Sequence, residues 1–390
     1  MLKLKGTNEL LDINIKYGAH MPKIHINLNE NELLTSIKNN IDNLDLDTSW
    51  DKFKKLTNPY ELVHTPKKRR KDKNQSIARY LPFSRSYFKM WEIIYEFELI
   101  NNSKTINVSH IAEGPGGFME SVINYRKRIN KKDNIYGITL RSTKKFIPGW
   151  NKSKDFIKRN NIIISYGKDN TGDICNIENI IFFKNQIGNN KCDLVTADGG
   201  FDFSIDFNHQ EQQAFQLIFC EIVLALSVQK NGGSFVLKIF DMFTLLTIKM
   251  LYIISYFYEE VYIYKPLTSR CANSEKYIIA KKFRGIEKTY LNKLYGIIKL
   301  WDSIEKNNYY ILDLFSDISN KKFIEQIINI NKKYIKKQIK SIKDTFKLIN
   351  DRPDVKTYNN IIKNQVNNAI TWCNKYNIKI NDNSKYLLLK

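Results

Sequence analysis

Residues 110–118, His110-Ile111-Ala112-Glu113-Gly114-Pro115-Gly116-Gly117-Phe118, place three glycines and a proline between a β-rich run and a helical pattern. Glycines at such a turn let the backbone bend sharply and a ligand approach closely, and the helix N-terminus that follows favours a negative group. The spacing is not the GxGxxG of dinucleotide sites, and the Gly-Lys-Ser/Thr of a phosphate-binding P-loop is missing. A nucleoside-type ligand remains, with S-adenosylmethionine and its methionine carboxylate as the leading candidate. The second unusual residue is Lys238 in Phe235-Val236-Leu237-Lys238-Ile239-Phe240, because a lysine seldom occupies a central strand without a partner. An edge lysine whose amine reaches back to solvent is the alternative. Asp198, which ends a β-rich run before Gly199-Gly200, reads by itself as a turn residue.

The elements that must position these residues alternate in type. Strands are expected over 106–111, 134–140, 162–165, 193–197 and 234–239, with helices over 118–129 and 209–228. A Leu/Ile/Tyr-rich helix follows, then β-like runs over 260–264 and 276–281, whose loop of about ten residues allows antiparallel pairing. The pattern predicts an α/β domain with a mainly parallel sheet, its last strand antiparallel, over 81–285. An N-terminal extension (1–80) precedes it and a Lys/Asn/Ile-rich helical region (286–390) follows, with amphipathic spacing at Ile327, Ile328, Ile330, Tyr334, Ile335 and Ile339.

With 43% hydrophobic and 13% aromatic residues, the 390-residue chain has enough apolar surface for a sizeable core, which excludes wholesale disorder. The formal charge of +22 favours a polyanionic partner, although the Lys-, Asn- and Ile-rich composition of AT-rich coding sequence produces the same excess. Five scattered cysteines, with no CxxC pair, argue against a disulfide framework or structural zinc. The start of the chain shows no secretory pattern and the greasiest stretch, 215–228, is too short to span a bilayer, so a cytoplasmic location without membrane association is expected. The basic run Lys67-Lys68-Arg69-Arg70-Lys71, a solvated loop or a phosphate or import signal, keeps the nucleus open.

Several of these segments carry a resemblance. Glu113-Gly114-Pro115-Gly116-Gly117-Phe118 resembles the first motif of the FtsJ/RrmJ-like 2′-O-methyltransferases, which have a Rossmann-like, S-adenosylmethionine-dependent fold. In the family's order follow Asp193-Leu194-Val195-Thr196-Ala197-Asp198-Gly199-Gly200, the strand 235–241 with its central lysine, and Thr268-Ser269-Arg270-Cys271-Ala272-Asn273-Ser274-Glu275-Lys276-Tyr277. Upstream, Ser84-Arg85-Ser86-Tyr87-Phe88-Lys89 is similar to the segment with the first lysine. The match covers about 200 residues and is nearest the cap-specific mRNA branch, including versions in large DNA viruses.

The resemblance implies a Lys-Asp-Lys-Glu tetrad: Lys89, Asp198, Lys238 and Glu275. A ribose 2′-hydroxyl must lose its proton as it attacks a sulfonium methyl, so a base poised near neutral pH is required, whereas free lysine titrates near ~10.4. Burial and neighbouring positive charge lower a lysine, and neighbouring carboxylates oppose this. Lys238 is the expected general base and Asp198 its orienter, with Lys89 on the hydroxyl and Glu275 organising the two lysines. The expected S-adenosylmethionine contacts are Ser84, Ala112, Glu113, Gly114, Pro115, Gly116, Gly117, Phe118 and Asp198. Asp173 is expected on the adenine amino group and Ile174 on its ring.

Two departures from the family pattern stand out. His110 occupies a frequently acidic position, for which Glu113 is expected to substitute in holding the methionine ammonium. The second strand ends Gly137-Ile138-Thr139-Leu140-Arg141, without an acidic residue for the ribose. RNA is expected along Arg141, Lys144, Lys145 and Trp150, with Arg270 as a phosphate contact. The substrate implied is RNA, capped mRNA in particular. A ribosomal or transfer RNA substrate, and a non-catalytic RNA-binding subunit associated with other RNA-processing proteins, are the competing readings.

Overall fold

The computed structural model describes residues 2–42, 44, 50–66, 74–100, 104–127, 133–141, 147–200 and 208–389. The basic run at 67–71 and the RNA candidates Lys144 and Lys145 lie outside the described residues. Among the described residues the strands are β1 (Leu2–Leu4), β2 (Ile13–Gly18), β3 (Asn107–Ile111), β4 (Asn134–Ile138), β5 (Ile163–Ser165), β6 (Cys192–Ala197), β7 (Gln229–Ile239), β8 (Tyr258–Tyr264), β9 (Lys276–Phe283) and β10 (Tyr310–Phe315). Eight of them form one sheet in the order β1-β8-β9-β7-β6-β3-β4-β5.

Strands β3 to β7 run parallel, and β9 inserts antiparallel between β7 and β8, as the run of short β-patterns predicts. The chain leaves β5 at one edge and re-enters at β6 on the other side of β3, so the order reverses between β3 and β6. Ligands of open α/β sheets bind at the carboxyl ends of strands at such a switch point. The two carboxyl ends here carry the glycine loop and Asp198.

Side-chain alternation divides the core into two layers. Phe235, Leu237 and Ile239 of β7 face a cluster with the helices Ile177–Ile187, Phe215–Val228 and Leu245–Phe257. Val236 faces the other cluster, with the helices Ser86–Phe97 and Gly117–Lys127. Lys238 shares the face of Val236, so it points toward the helix that bears Lys89.

The terminal regions are built into this frame. β1 extends the sheet by pairing antiparallel with β8, and β2 pairs with β10 in a separate ribbon. The helix Val355–Lys375 packs Trp372 beside Phe88 and Trp91 of the Lys89 helix, with Trp372 Nε1 donating to buried Glu92 at 2.9 Å. The helix expected over 209–228 is two, Gln210–Gln213 and Phe215–Val228, separated by Ala214, whose backbone stays near helical at φ −88° and ψ −6°. β7 begins at Gln229, five residues before the expected start, because Gln229 pairs with Cys192 ahead of an irregularity in the ladder. Among the described residues no helix is long and apolar enough to cross a membrane.

Candidate active site

The four tetrad residues come from four different elements and converge at the carboxyl edge of the sheet. Lys89, on the helix Ser86–Phe97, donates to both oxygens of Glu275, at 2.6 and 2.8 Å. Lys238, near the end of β7, donates to the Asp198 carbonyl at 2.8 Å and lies 3.3 Å from Asp198 Oδ1. All four side chains are 13–14% exposed, open enough for a substrate and enclosed enough for strong electrostatics. The antiparallel register explains the convergence: Lys238 sits opposite Tyr277, and Glu275 lies two residues before Tyr277, just ahead of β9.

The two pairs are electrically one unit. The positive charges of Lys89 and Lys238 overcome burial and hold Glu275 down at about 2. Burial pulls Lys238 down, but the charges of Asp198 and Glu275 outweigh it and raise its pKa above the ordinary lysine value. The carboxylates therefore win, and Lys238 stands as an ammonium.

Sequence reasoning missed several supporting residues. Tyr277 donates to Asp198 Oδ1 at 3.1 Å and Ser269 donates to Glu275 Oε1 at 2.8 Å. Lys265 donates to the Glu275 carbonyl at 2.9 Å, and burial together with Lys276 lowers it to about 7. Glu221, wholly buried on the helix Phe215–Val228, accepts from the Gly199 amide at 3.0 Å; burial pushes it up to about 8. A carboxylate inside that apolar run was the available signal.

The glycine loop leaves β3 with Ala112 in the left-handed region (φ 53°) and Gly116 at φ 102°. A β-carbon on Gly117 would collide with the hydroxyls of Ser84 and Ser86, so both serines pack against the loop. Asp198 N–H donates to Ile111 O at 3.4 Å, so loop and tetrad share a backbone contact. After β5, the turn 166–174 is fixed by Asp169, which accepts from Thr171, Asn176 and Asn179. Its Gly172 donates to Tyr166 O at 2.7 Å, and Asp173 and Ile174 follow directly, with Ile174 buried.

Four expected contacts need correction. Glu113 is 3% exposed; it accepts from Thr196 and lies 2.9 Å from His110 Nδ1, so its carboxylate ties β3 to β6 instead of presenting itself to an ammonium. His110 and Glu113, three residues apart, are thus each other's partners. The Phe118 ring is fully buried against Tyr277, leaving only its backbone to the loop. Trp150 is 3% exposed, packed beneath Gly116 and Gly137, and has no face for an RNA base. Arg270 is committed to Glu61 of the N-terminal region, at 2.7 and 3.1 Å, which removes it from a simple phosphate role. Arg141 is exposed, and its guanidinium lies over the Tyr166 ring at 5.3 Å, beside the turn 166–174.

A doubly wound sheet with a glycine turn and a lysine–carboxylate centre at its switch point defines an α/β domain of the Rossmann-like class. The chain belongs to the FtsJ-like methyltransferase family, which it matches over residues 82–283. It is 32% identical over 253 residues to the cap-specific mRNA (nucleoside-2′-O-)-methyltransferase 1 of mouse, covering 62% of this chain and 29% of that protein. The protein of the same name from cattle is 37% identical over 187 residues, 45% of this chain and 21% of its own length. The one from Trypanosoma cruzi is 31% identical over 197 residues, 50% of this chain and 53% of its own. The chain thus spans less than a third of the mammalian relatives it matches.

Proposed function

We propose that this chain is an S-adenosylmethionine-dependent RNA 2′-O-ribose methyltransferase that acts on a cap-proximal nucleotide of mRNA, with Lys238 as general base. The observation that carries the reading is the joined pair of ion pairs, Lys89–Glu275 and Lys238–Asp198, at the carboxyl edge of a family-matched sheet. The names of the mammalian and trypanosomal relatives support the substrate class.

The residues fit the cofactor. Beneath the glycine loop Trp150 Nε1 is a buried donor without a partner among the described residues, on a ring packed against Gly116 and Gly137. Asp198 follows β6 beside the loop, and Asp173 on the turn 166–174 is an acceptor suited to an adenine amino group, whereas Ile174 is packed into the core. When bound, S-adenosylmethionine supplies an electrophilic methyl on a sulfonium and leaves as a neutral thioether.

This chain's residues do the rest. Lys89, anchored by Glu275, fixes the ribose hydroxyl oxygen with an N–H donor. Lys238, held by the Asp198 carbonyl and carboxylate, receives the hydroxyl proton as the new O–C bond forms. Its raised pKa must first fall, and a positive charge arriving beside it lowers it. Alignment of oxygen, methyl and sulfur supplies much of the rate, since positioning alone is worth about 7–11 kcal/mol in well-oriented reactions.

Transfer of labelled methyl to cap-0 and uncapped transcripts of one sequence tests the proposal, with Lys238→Ala in parallel. Transfer to capped RNA alone, stable to alkaline hydrolysis and lost in the variant, is the expected result. Equal transfer to uncapped RNA moves the substrate to another RNA class, and no transfer to any RNA overturns the enzymatic reading.

A further inference from the structure

The helix Lys321–Asp351 carries five lysines and no acid between 332 and 340. Lys333, Lys336, Lys337 and Lys340 rim a groove of about 440 Å³ whose floor is Leu2 and Tyr334. Lys332 leans to Glu30 at 3.6 Å and Lys340 to Asp344 at 2.6 Å. Lys333, Lys336 and Lys337 are exposed and have no carboxylate within ion-pair distance among the described residues. They recur at the i, i+3, i+4 spacing that aligns them on one helical face.

The location separates this groove from an ordinary lysine-rich surface. Leu2 pairs with Ile263 at the end of β8, and Tyr334 donates to the Ile263 carbonyl at 3.2 Å. Gln338 of the same helix donates to Ala272 O at 3.0 Å, in the loop that delivers Glu275. The groove therefore lies on the same edge of the sheet as the tetrad. From β7 to β1 is three inter-strand steps, about 14 Å at the usual spacing.

We infer that this groove is a second RNA contact, which receives the strand as it runs away from the methylated ribose; the inference rests on the function proposed above. Three unpaired ammonium groups suit backbone phosphates, and a half-buried tyrosine beside an aliphatic floor suits an unstacked base. An acidic protein segment shares the charge but has no reason to need the aromatic floor or the nearness to Glu275.

The test is the triple variant Lys333→Gln/Lys336→Gln/Lys337→Gln in the full chain. Its affinity for a labelled 20-nucleotide RNA is measured by anisotropy across salt, and its methyl transfer to a capped dinucleotide too short to reach the groove is measured alongside. The expected results are at least tenfold weaker binding of the 20-mer at low salt, a salt slope flattened by about 2 at roughly 0.7 per lost contact, and dinucleotide transfer within twofold of the parent. Unchanged 20-mer affinity and slope overturn the inference, and so does an equal loss on both RNAs. If the parent transfers methyl to no RNA, the proposed function fails, while the change in salt slope still decides whether the groove binds RNA.

Discussion

Glu221 reaches through the core to the Gly199 amide, accepting at 3.0 Å, and so anchors the turn that holds Asp198 against Lys238. A β-carbon on Gly199 would collide with Glu221 Oε1, and one on Gly200 would lie 3.1 Å from Lys238 Nζ. The turn is pinned from both sides. Glu221 Oε2 has no partner among the described residues, and burial raises the acid to about 8, so at neutral pH it is held largely protonated.

Glu221→Gln keeps the acceptor and removes the titration. A carboxyl raised in the folded state stabilises below its unfolded pKa, near 4.5, and loses that contribution as pH rises through about 8. Thermal or denaturant unfolding of parent and variant should therefore agree most closely at pH 5. The variant should become the more stable by on the order of a few kcal/mol at pH 9. A pH-independent difference would refute the assignment. Glu221→Ala, which frees the turn, should lower kcat while the Gln variant retains it.

The rate of methyl transfer should rise with pH, because Lys238 is held protonated by Asp198 and Glu275. Removing one of those charges lowers the lysine. Asp198→Asn should accordingly move the acid limb of the rate profile to lower pH, by about one unit, while reducing the maximum rate. Lys238→Arg cannot shed its proton and should be inactive with cofactor binding retained. Appreciable activity in Lys238→Arg would remove Lys238 from the role of base.

The glycine loop, the parallel sheet and the antiparallel run before 283 were legible because each depends on local period and turn chemistry. Lys238 was legible as an apolar-strand lysine and gained its meaning from the order of motifs around it. Glu113, Trp150 and Arg270 were misread for a common reason: their roles depend on partners distant in the chain. Thr196 on β6, Gly137 on β4 and Glu61 in the N-terminal region cannot be inferred from the neighbourhoods of those residues. Glu92 is a further case, since it accepts from Tyr264, Leu267 and Trp372 and ties the loop before Glu275 to the C-terminal helix.

The Lys89–Glu275 pair should show strong coupling in a double-mutant cycle. Glu275 is held at about 2, so its contribution is present above the unfolded pKa near 4.5 and disappears as pH falls through 2. Either single change, Lys89→Met or Glu275→Gln, leaves an enclosed charge without its closest partner and should cost about 3 kcal/mol at pH 7. The double variant should recover a large part of that loss in denaturant unfolding, yet stay inactive. Simple additivity would mean that the pair is no more than a surface contact.

Glu61 should behave as a positioning residue for the catalytic loop, although it precedes the family-matched segment. Its carboxylate lies 3.0 Å from Arg85 Nη1 and 2.7 Å from Arg270 Nη2, and Asn58 donates to it at 2.6 Å. Arg85 in turn donates to the Thr268 carbonyl at 3.0 and 3.2 Å. One acid thus holds the segment that leads into Lys89 and the loop that delivers Glu275. Arg85 and Arg270 pull Glu61 below the usual carboxylate range even against its burial. Glu61→Gln keeps hydrogen-bonding capacity and should lower stability by about 1–2 kcal/mol; Glu61→Ala, which leaves two guanidiniums facing each other, should cost about 3 kcal/mol. Because the loop moves and the glycine turn does not, cofactor affinity should stay within about twofold in both variants while kcat falls at least tenfold in the Ala variant. Calorimetric cofactor titration beside single-turnover transfer reads the two separately. An equal loss of cofactor binding would show that Glu61 supports the whole fold and has no selective hold on the loop.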